Sequence, residues 1–145
     1  MSAPVFVDSN IWLYGFIVAD ESKHKGTLKL LEKTLKESSV MISIQVVNEV
    51  CCGLKKNDFS EKEIRSTIDY FFKSCVIITP SYDILLEASD LRRKHRFSFW
   101  DSLILSSAIR GNCVYLYTED MQDGMSLNGL TIVNPFQSRD KSSPA

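Results

Sequence analysis

Pro4-Val5-Phe6-Val7 is a short apolar run that stops at a carboxylate, Asp8. A run with no polar alternation reads as a strand buried on both faces. The same kind of run recurs down the chain. Val40-Met41-Ile42 is a second strand. Cys75-Val76-Ile77-Ile78-Thr79, closed by Pro80, is a third, and Cys113-Val114-Tyr115-Leu116-Tyr117 is a fourth. Asn128-Gly129 marks a turn before a weak last strand, Leu130-Thr131-Ile132-Val133.

Helical patterns fill the intervals. Asp8-Ser9-Asn10 caps a short helix over 11–16, and residues 22–37 place Leu28, Leu31 and Leu35 on one face. Val46, Val50 and Leu54 mark a helix over 44–56. Ser60-Glu61-Lys62-Glu63 is a capping box, followed by Ile64, Ile68, Phe71 and Phe72 as a core-facing stripe. Ile84, Ala88 and Leu91 mark a helix over 82–95. Ser98 caps another over 99–110, ended by Gly111. Alternation of buried strands with helices implies an α/β fold around a mostly parallel sheet of about five strands, with right-handed crossovers. Such a sheet binds ligands at the carboxyl ends of its strands, near the point where strand order reverses.

The 145 residues fit one domain, expected over 1–136, with a polar, disordered tail over 137–145. A chain of this length buries enough surface to fold without a disulfide or metal staple. The formal net charge of −1 excludes a general cationic coat, so any polyanion must be held by a local patch or through metal ions. The longest apolar run, Ile11 to Ala19, is nine residues, against about 20 for a membrane span. The start of the chain has no basic region ahead of an apolar stretch, as a secretory signal would. Cys51, Cys52, Cys75 and Cys113 lack CxxC spacing and read as reduced, mostly core thiols of a cytoplasmic protein. With only His24 and His95 as histidines, both read as surface residues, a zinc site is not expected.

Four acids follow strands or sit in the first turns after them: Asp8, Glu49, Asp101 and Asp120. If the strands are parallel, all four lie at one edge of the sheet. Like charges gathered there raise one another's pKa, and a divalent cation resolves the conflict. Mg²⁺ and Mn²⁺ take oxygen ligands in octahedral geometry. Ser9, Asn10 and Thr118 would add neutral oxygens or orient waters. Each acid also has a plainer reading: Asp8 and Asp101 as cap residues, Glu49 on a solvated face, Asp120 in a turn.

The stretch Val5-Phe6-Val7-Asp8-Ser9-Asn10-Ile11-Trp12-Leu13-Tyr14 resembles the opening of PIN domains. Glu49 after Ser43-Ile44-Gln45-Val46-Val47-Asn48, then Phe97-Ser98-Phe99-Trp100-Asp101-Ser102-Leu103-Ile104-Leu105, Tyr117-Thr118-Glu119-Asp120 and Ile132-Val133-Asn134-Pro135-Phe136 extend the likeness over 4–136. It is similar above all to single-domain VapC-type toxins, the ribonuclease half of toxin–antitoxin pairs. The resemblance implies a three-layer α/β/α sandwich and a Mg²⁺- or Mn²⁺-dependent endoribonuclease, with RNA as substrate and a separate antitoxin protein as partner. It carries over Asp8, Glu49, Asp101 and Asp120 as the acidic quartet, with Asn10, Thr118 and Asp123 in support. Asp8 and Asp101 would be direct ligands of a first ion. Asp120 would complete its shell, and Glu49 would orient the attacking water or hold a second ion.

Arg92-Arg93-Lys94-His95-Arg96 reads either as a solvated last helical turn or as an RNA phosphate clamp through Arg92, Arg93, Lys94 and Arg96. Lys23, Lys25 and Lys29 form a second candidate patch. Trp12, Tyr14 and Phe16 read as core or subunit interface rather than as base-stacking platforms, and Trp12, Leu13, Phe16 and Ile17 could serve a homodimer. Two other readings stay open on the residues alone: a catalytically silent PIN-like binding module, and a phosphoacceptor domain. The second would need a Lys soon after the last strand, where none occurs before Lys141.

Overall fold

The computed structural model describes residues 2–137, so all but the first residue of the tail expected over 137–145 lies outside the described residues. The elements run β1 (Ser2–Val7), α1 (Ser9–Phe16), α2 (Glu21–Glu37), β2 (Ser38–Ser43), α3 (Ile44–Lys56), α4 (Glu61–Ser74), β3 (Val76–Ile78), α5 (Tyr82–Lys94), α6 (Phe99–Arg110), β4 (Tyr115–Tyr117), β5 (Ser126–Leu127) and β6 (Leu130–Val133). They form one sheet in the order β3-β2-β1-β4-β6-β5. Every neighbouring pair is parallel except β5 with β6. Val5, Phe6 and Val7 are consecutive and all buried, so helices cover both faces of the central strand. The result is a three-layer α/β/α sandwich.

The sheet has six strands rather than five. Ser126–Leu127 turns back through Asn128 and Gly129, both at positive φ (48° and 86°), onto β6. A two-residue strand has too few residues to show a period in sequence.

Each helix begins where a short polar side chain takes up an orphan amide. Asp8 accepts from Ser9, Ser43 from Val46, Ser81 from Ile84, and Ser98 from Asp101. Ser60 and Glu63 close the capping box in both directions. Gly111 ends α6 by another device than the expected left-handed glycine. Its φ is −78°, and Asn112 takes the left-handed turn at φ 57°. The glycine also gives room: a Cβ there would lie 2.7 Å from Met41 Sδ, so that side chain would have to shift.

Trp12 is used inside the chain. It is 1% exposed, its indole nitrogen donates to the Val7 carbonyl at 3.1 Å, and its ring meets Phe71 edge-on at 4.9 Å. Phe16 and Tyr70 complete this aromatic cluster. It ties α1 to α4 and leaves Trp12 unavailable to a homodimer. In the α4 stripe Ile64 and Phe71 are buried, but Phe72 is exposed, as is Leu28 on α2. Cys113 is buried, Cys51 and Cys75 half-buried, and Cys52 exposed, all as free thiols. Phe71→Ala would empty the centre of the aromatic cluster and is expected to lower the unfolding free energy by about 3–5 kcal/mol. Urea unfolding checks this; a loss below about 1 kcal/mol would show that α4 is not anchored there.

Candidate functional site

β1 pairs with β2 on one side and β4 on the other, so strand order reverses between β1 and β4. In a parallel sheet this opens a crevice at the carboxyl ends of those two strands. Asp8 leaves β1 at that point, and its amide donates to the Tyr117 carbonyl at the end of β4, 2.9 Å away. The residue is 5% exposed. Its Oδ1 accepts from the Ser9 amide at 2.8 Å, and its Oδ2 from the Thr118 hydroxyl at 2.9 Å. Burial outweighs these bonds and pushes its pKa up to about 6, helped by the charges of Glu49 and Asp120.

The other three acids surround it. Glu49, two turns into α3, accepts from the Ser9 hydroxyl at 3.3 Å. Its pKa is raised by desolvation and by Asp101 and Asp120, against hydrogen bonds from Ser9 and Gln45. Asp101, in the first turn of α6, is raised by desolvation and by Asp120. Asp120 follows β4 and accepts from Asn10 Nδ2 at 2.6 Å. The four carboxylates predicted from sequence therefore interact electrostatically at one sheet edge, and none of them has a salt-bridge partner among the described residues.

Asn10 latches the loop after β4: it binds Asp120, and its Oδ1 accepts from the Glu119 amide at 3.4 Å. Thr118 is fully buried and accepts from the Asp120 amide at 3.2 Å while donating to Asp8. Asp123 lies in the loop after the Asp120 turn. It accepts from the Asn134 amide at 2.7 Å and so ties the loop before β5 to the end of β6.

Four residues take roles that the sequence reading did not give them. Glu119 is clasped by the Tyr14 hydroxyl and by Lys23 Nζ, the latter at 2.7 Å. Burial works upward on Glu119, but the bonds from Lys23 and Tyr14 win and hold its pKa below the usual value. Lys23 also lies 5.0 Å from the Tyr14 ring centre and 5.3 Å from that of Phe136. Tyr14 stands one helical turn beyond Asn10, a spacing that would have placed both on one face. Gln45 donates to the Trp100 carbonyl at 3.4 Å and, one turn before Glu49, helps hold that carboxyl's pKa down.

The basic run divides. Arg92 donates to Ser102 Oγ at 2.7 Å and stacks over Phe99, while Arg93 pairs with Asp90. Lys94, His95 and Arg96 instead line a cleft of about 500 Å³ together with Asp101 and Asp120. In the second patch Lys23 pairs with Glu119 and Lys25 with Glu21, while Lys29 stays exposed on α2. Neither histidine lies free on the surface: both are half-buried, and His24 Nδ1 lies 2.8 Å from the Tyr14 carbonyl.

Among the described residues no three His, Cys, Asp or Glu side chains form a closed metal cage. The acids are instead held apart by neutral partners, Glu49 by Ser9 and Asp120 by Asn10. An open set of hard oxygen donors suits an ion that keeps several of its waters, as Mg²⁺ does.

An acid-lined crevice at the switch point of a parallel α/β/α sandwich defines a class of domain, and the sequence agrees. Residues 5–122 match the family model described as PIN domain, and the chain belongs to that family. This sets aside the phosphoacceptor reading. Solved structures share the fold. VapC20 of Mycobacterium tuberculosis, a toxin that cleaves the sarcin–ricin loop, superposes with a TM-score of 0.67 at 18% identity, over 80% of this chain and 89% of that one. A toxin–antitoxin complex from Klebsiella pneumoniae gives 0.70 at 23%, over 92% and 99%. VapBC2 of Rickettsia felis, bound to a DNA fragment from its promoter, gives 0.65 at 24%, over 89% and 96%. No curated protein matches the sequence significantly.

The raised pKa of Asp8 has a consequence for stability. A carboxyl that ionises near 4 unfolded and near 6 folded keeps its proton better in the folded state. Stability therefore falls as pH rises from about 4 to about 6, by an upper limit of about 3 kcal/mol, and stays lowered above that. Asn caps helices as well as Asp and carries no charge. Asp8→Asn is thus expected to melt higher than the native chain at pH 8 in EDTA, with most of the difference gone at pH 4. Melting curves at both pH values check this; a lower melting temperature at pH 8 would show that the carboxylate stabilises the fold.

Proposed function

We propose that this chain is a Mg²⁺- or Mn²⁺-dependent endoribonuclease, and the toxin of a toxin–antitoxin pair with a separate antitoxin protein as partner. The observation that carries this reading is the buried Asp8 carboxylate, ringed by Glu49, Asp101 and Asp120 with no salt-bridged cation among the described residues to offset them. Membership of the PIN domain family supports it, as do relatives described as toxins or toxin–antitoxin complexes. No helix of the described residues is long and apolar enough to cross a membrane, which suits action on cytoplasmic RNA. A homodimer belongs to the same proposal.

Asp8, Asp101 and Asp120 would hold the ion, with Glu49 directed at a second ion or at the attacking water. When bound, a divalent ion lowers the pKa of a water and neutralises charge developing on phosphate and leaving oxygen. The chain's own groups do the rest. Ser9 and Gln45 orient the Glu49 carboxylate so that it can align a water and take its proton. Thr118 fixes the rotation of Asp8, and Asn10 that of Asp120. Lys94 and Arg96, which line the same cleft as Asp101, would hold phosphates flanking the scissile one.

Asp101→Asn is expected to lower metal-dependent RNA cleavage by about a hundred-fold or more, since even changes behind a ligand cost about 10–100-fold. Gel assays with Mg²⁺, with Mn²⁺ and with excess EDTA read the outcome. Full cleavage by the variant, or cleavage in EDTA, overturns the proposal. The cleft makes a second claim. Replacing Lys94 and Arg96 by Ala is expected to flatten the salt dependence of RNA binding by about 1.4 in log–log slope, at about 0.7 per single-strand phosphate contact. Arg93→Ala should leave the slope unchanged. Equal slopes in all three proteins would mean that the cleft holds no phosphate.

A further inference from the structure

α6 opens with Phe99-Trp100-Asp101, so two large aromatic side chains stand in the same helical turn as one of the candidate acids. Phe99 is 50% exposed and Trp100 61%. Water contact on this scale is costly for an indole, and a fixed aromatic at the rim of a polar cleft is a place for a flat partner. Ser98 holds the turn through its bond to the Asp101 amide at 3.1 Å. Arg92 supports Phe99 from its other side, with the guanidinium carbon 4.5 Å from the ring centre and a bond to Ser102. The Phe99 and Trp100 rings meet edge to face at 5.2 Å. Gln45 ties the Trp100 carbonyl to the Glu49 side of the crevice. Trp100 is therefore an exposed ring next to Asp101 in the chain, on a backbone tied to α3.

We propose that Trp100, backed by Phe99, stacks an unpaired base of the RNA next to the scissile phosphate. The assignment rests on the ribonuclease reading and adds to it a residue that selects substrate. Charge favours a nucleic-acid strand over an apolar protein face. Lys94 and Arg96 line the adjoining cleft and suit phosphates, while the acids repel them, so the strand's uncharged bases are the part that fits the acidic side of the rim. A base stacks on an aromatic ring whatever its identity, and an uninterrupted duplex leaves no base face free to do so.

The two tryptophans make the test direct. Trp12 is 1% exposed, so acrylamide quenching of tryptophan emission reads Trp100. A ten-nucleotide single-stranded RNA is added to full-length Asp8→Asn protein, which is expected to bind without cutting. Quenching should then fall several-fold, whereas a duplex of the same sequence should protect little. In the otherwise native chain, Trp100→Ala should raise KM for a single-stranded RNA by about five- to a hundred-fold. That rise should exceed any fall in kcat, and Trp100→Phe should recover part of the loss where Trp100→Leu does not. RNA that leaves Trp100 fully quenchable, or an unchanged KM in Trp100→Ala, overturns the assignment even where cleavage itself is intact. Protection that appears without RNA and grows with protein concentration also overturns it, since a second copy then covers the ring. A native chain that cuts no RNA sinks the ribonuclease reading by a separate readout.

Discussion

The central strand ends in a carboxylate that the rest of the sheet has to accommodate. β1 runs parallel to both its neighbours, so its last amide and the last carbonyl of β4 meet side by side. The Thr118 hydroxyl then reaches back to Asp8, and its oxygen also takes the Asp120 amide. One junction thus sets the position of two acids that are far apart in the chain. With an antiparallel β4, residues 118–120 would leave from the opposite edge, and neither Asn10 nor Tyr14 could reach them.

Local helix chemistry and the site use the same atoms. Asp8 caps α1 with one oxygen and faces the other acids with its second. Ser98 caps α6 and thereby fixes the turn that carries Asp101. Ser43 caps α3 and sets the rotation that brings Glu49 to Ser9 two turns later. Capping and acid clustering, which look like rival explanations in sequence, are one arrangement here. What capping cannot explain is the raised pKa of three of these acids, an unfavourable gathering that a purely structural design would avoid.

Much of this was legible in the sequence because its signals are local. Apolar runs stopping at polar residues gave the main strands, Ser60 and Glu63 gave a helix start, and strand direction then placed Asp8, Glu49, Asp101 and Asp120 together. What escaped depends on pairing across the chain. The two residues of β5 are defined only by β6. Trp12 and Phe16 looked as suited to a partner chain as to a core until Phe71 supplied the facing ring. Arg92 and Lys94 are equally basic in sequence, yet one is tied down by Ser102 and Phe99 while the other lines the cleft. Lys23 looked like a free cation and is held by Glu119, ninety-six positions away.

Chain order and sheet order disagree in a way that shapes assembly. β2 follows β1 closely, but β4, which closes the other side of β1, comes only at residues 115–117. Closing the longer loop costs more entropy, so the β1–β2 pairing is the cheaper of the two, and without β4 the second edge of β1 is bare. That edge is Val5-Phe6-Val7, an apolar template for any stray strand. The segment that ends at Asp8 is therefore also where a half-made chain is most exposed to misassociation, and the residues that cover it are those that bring Asp120 into place.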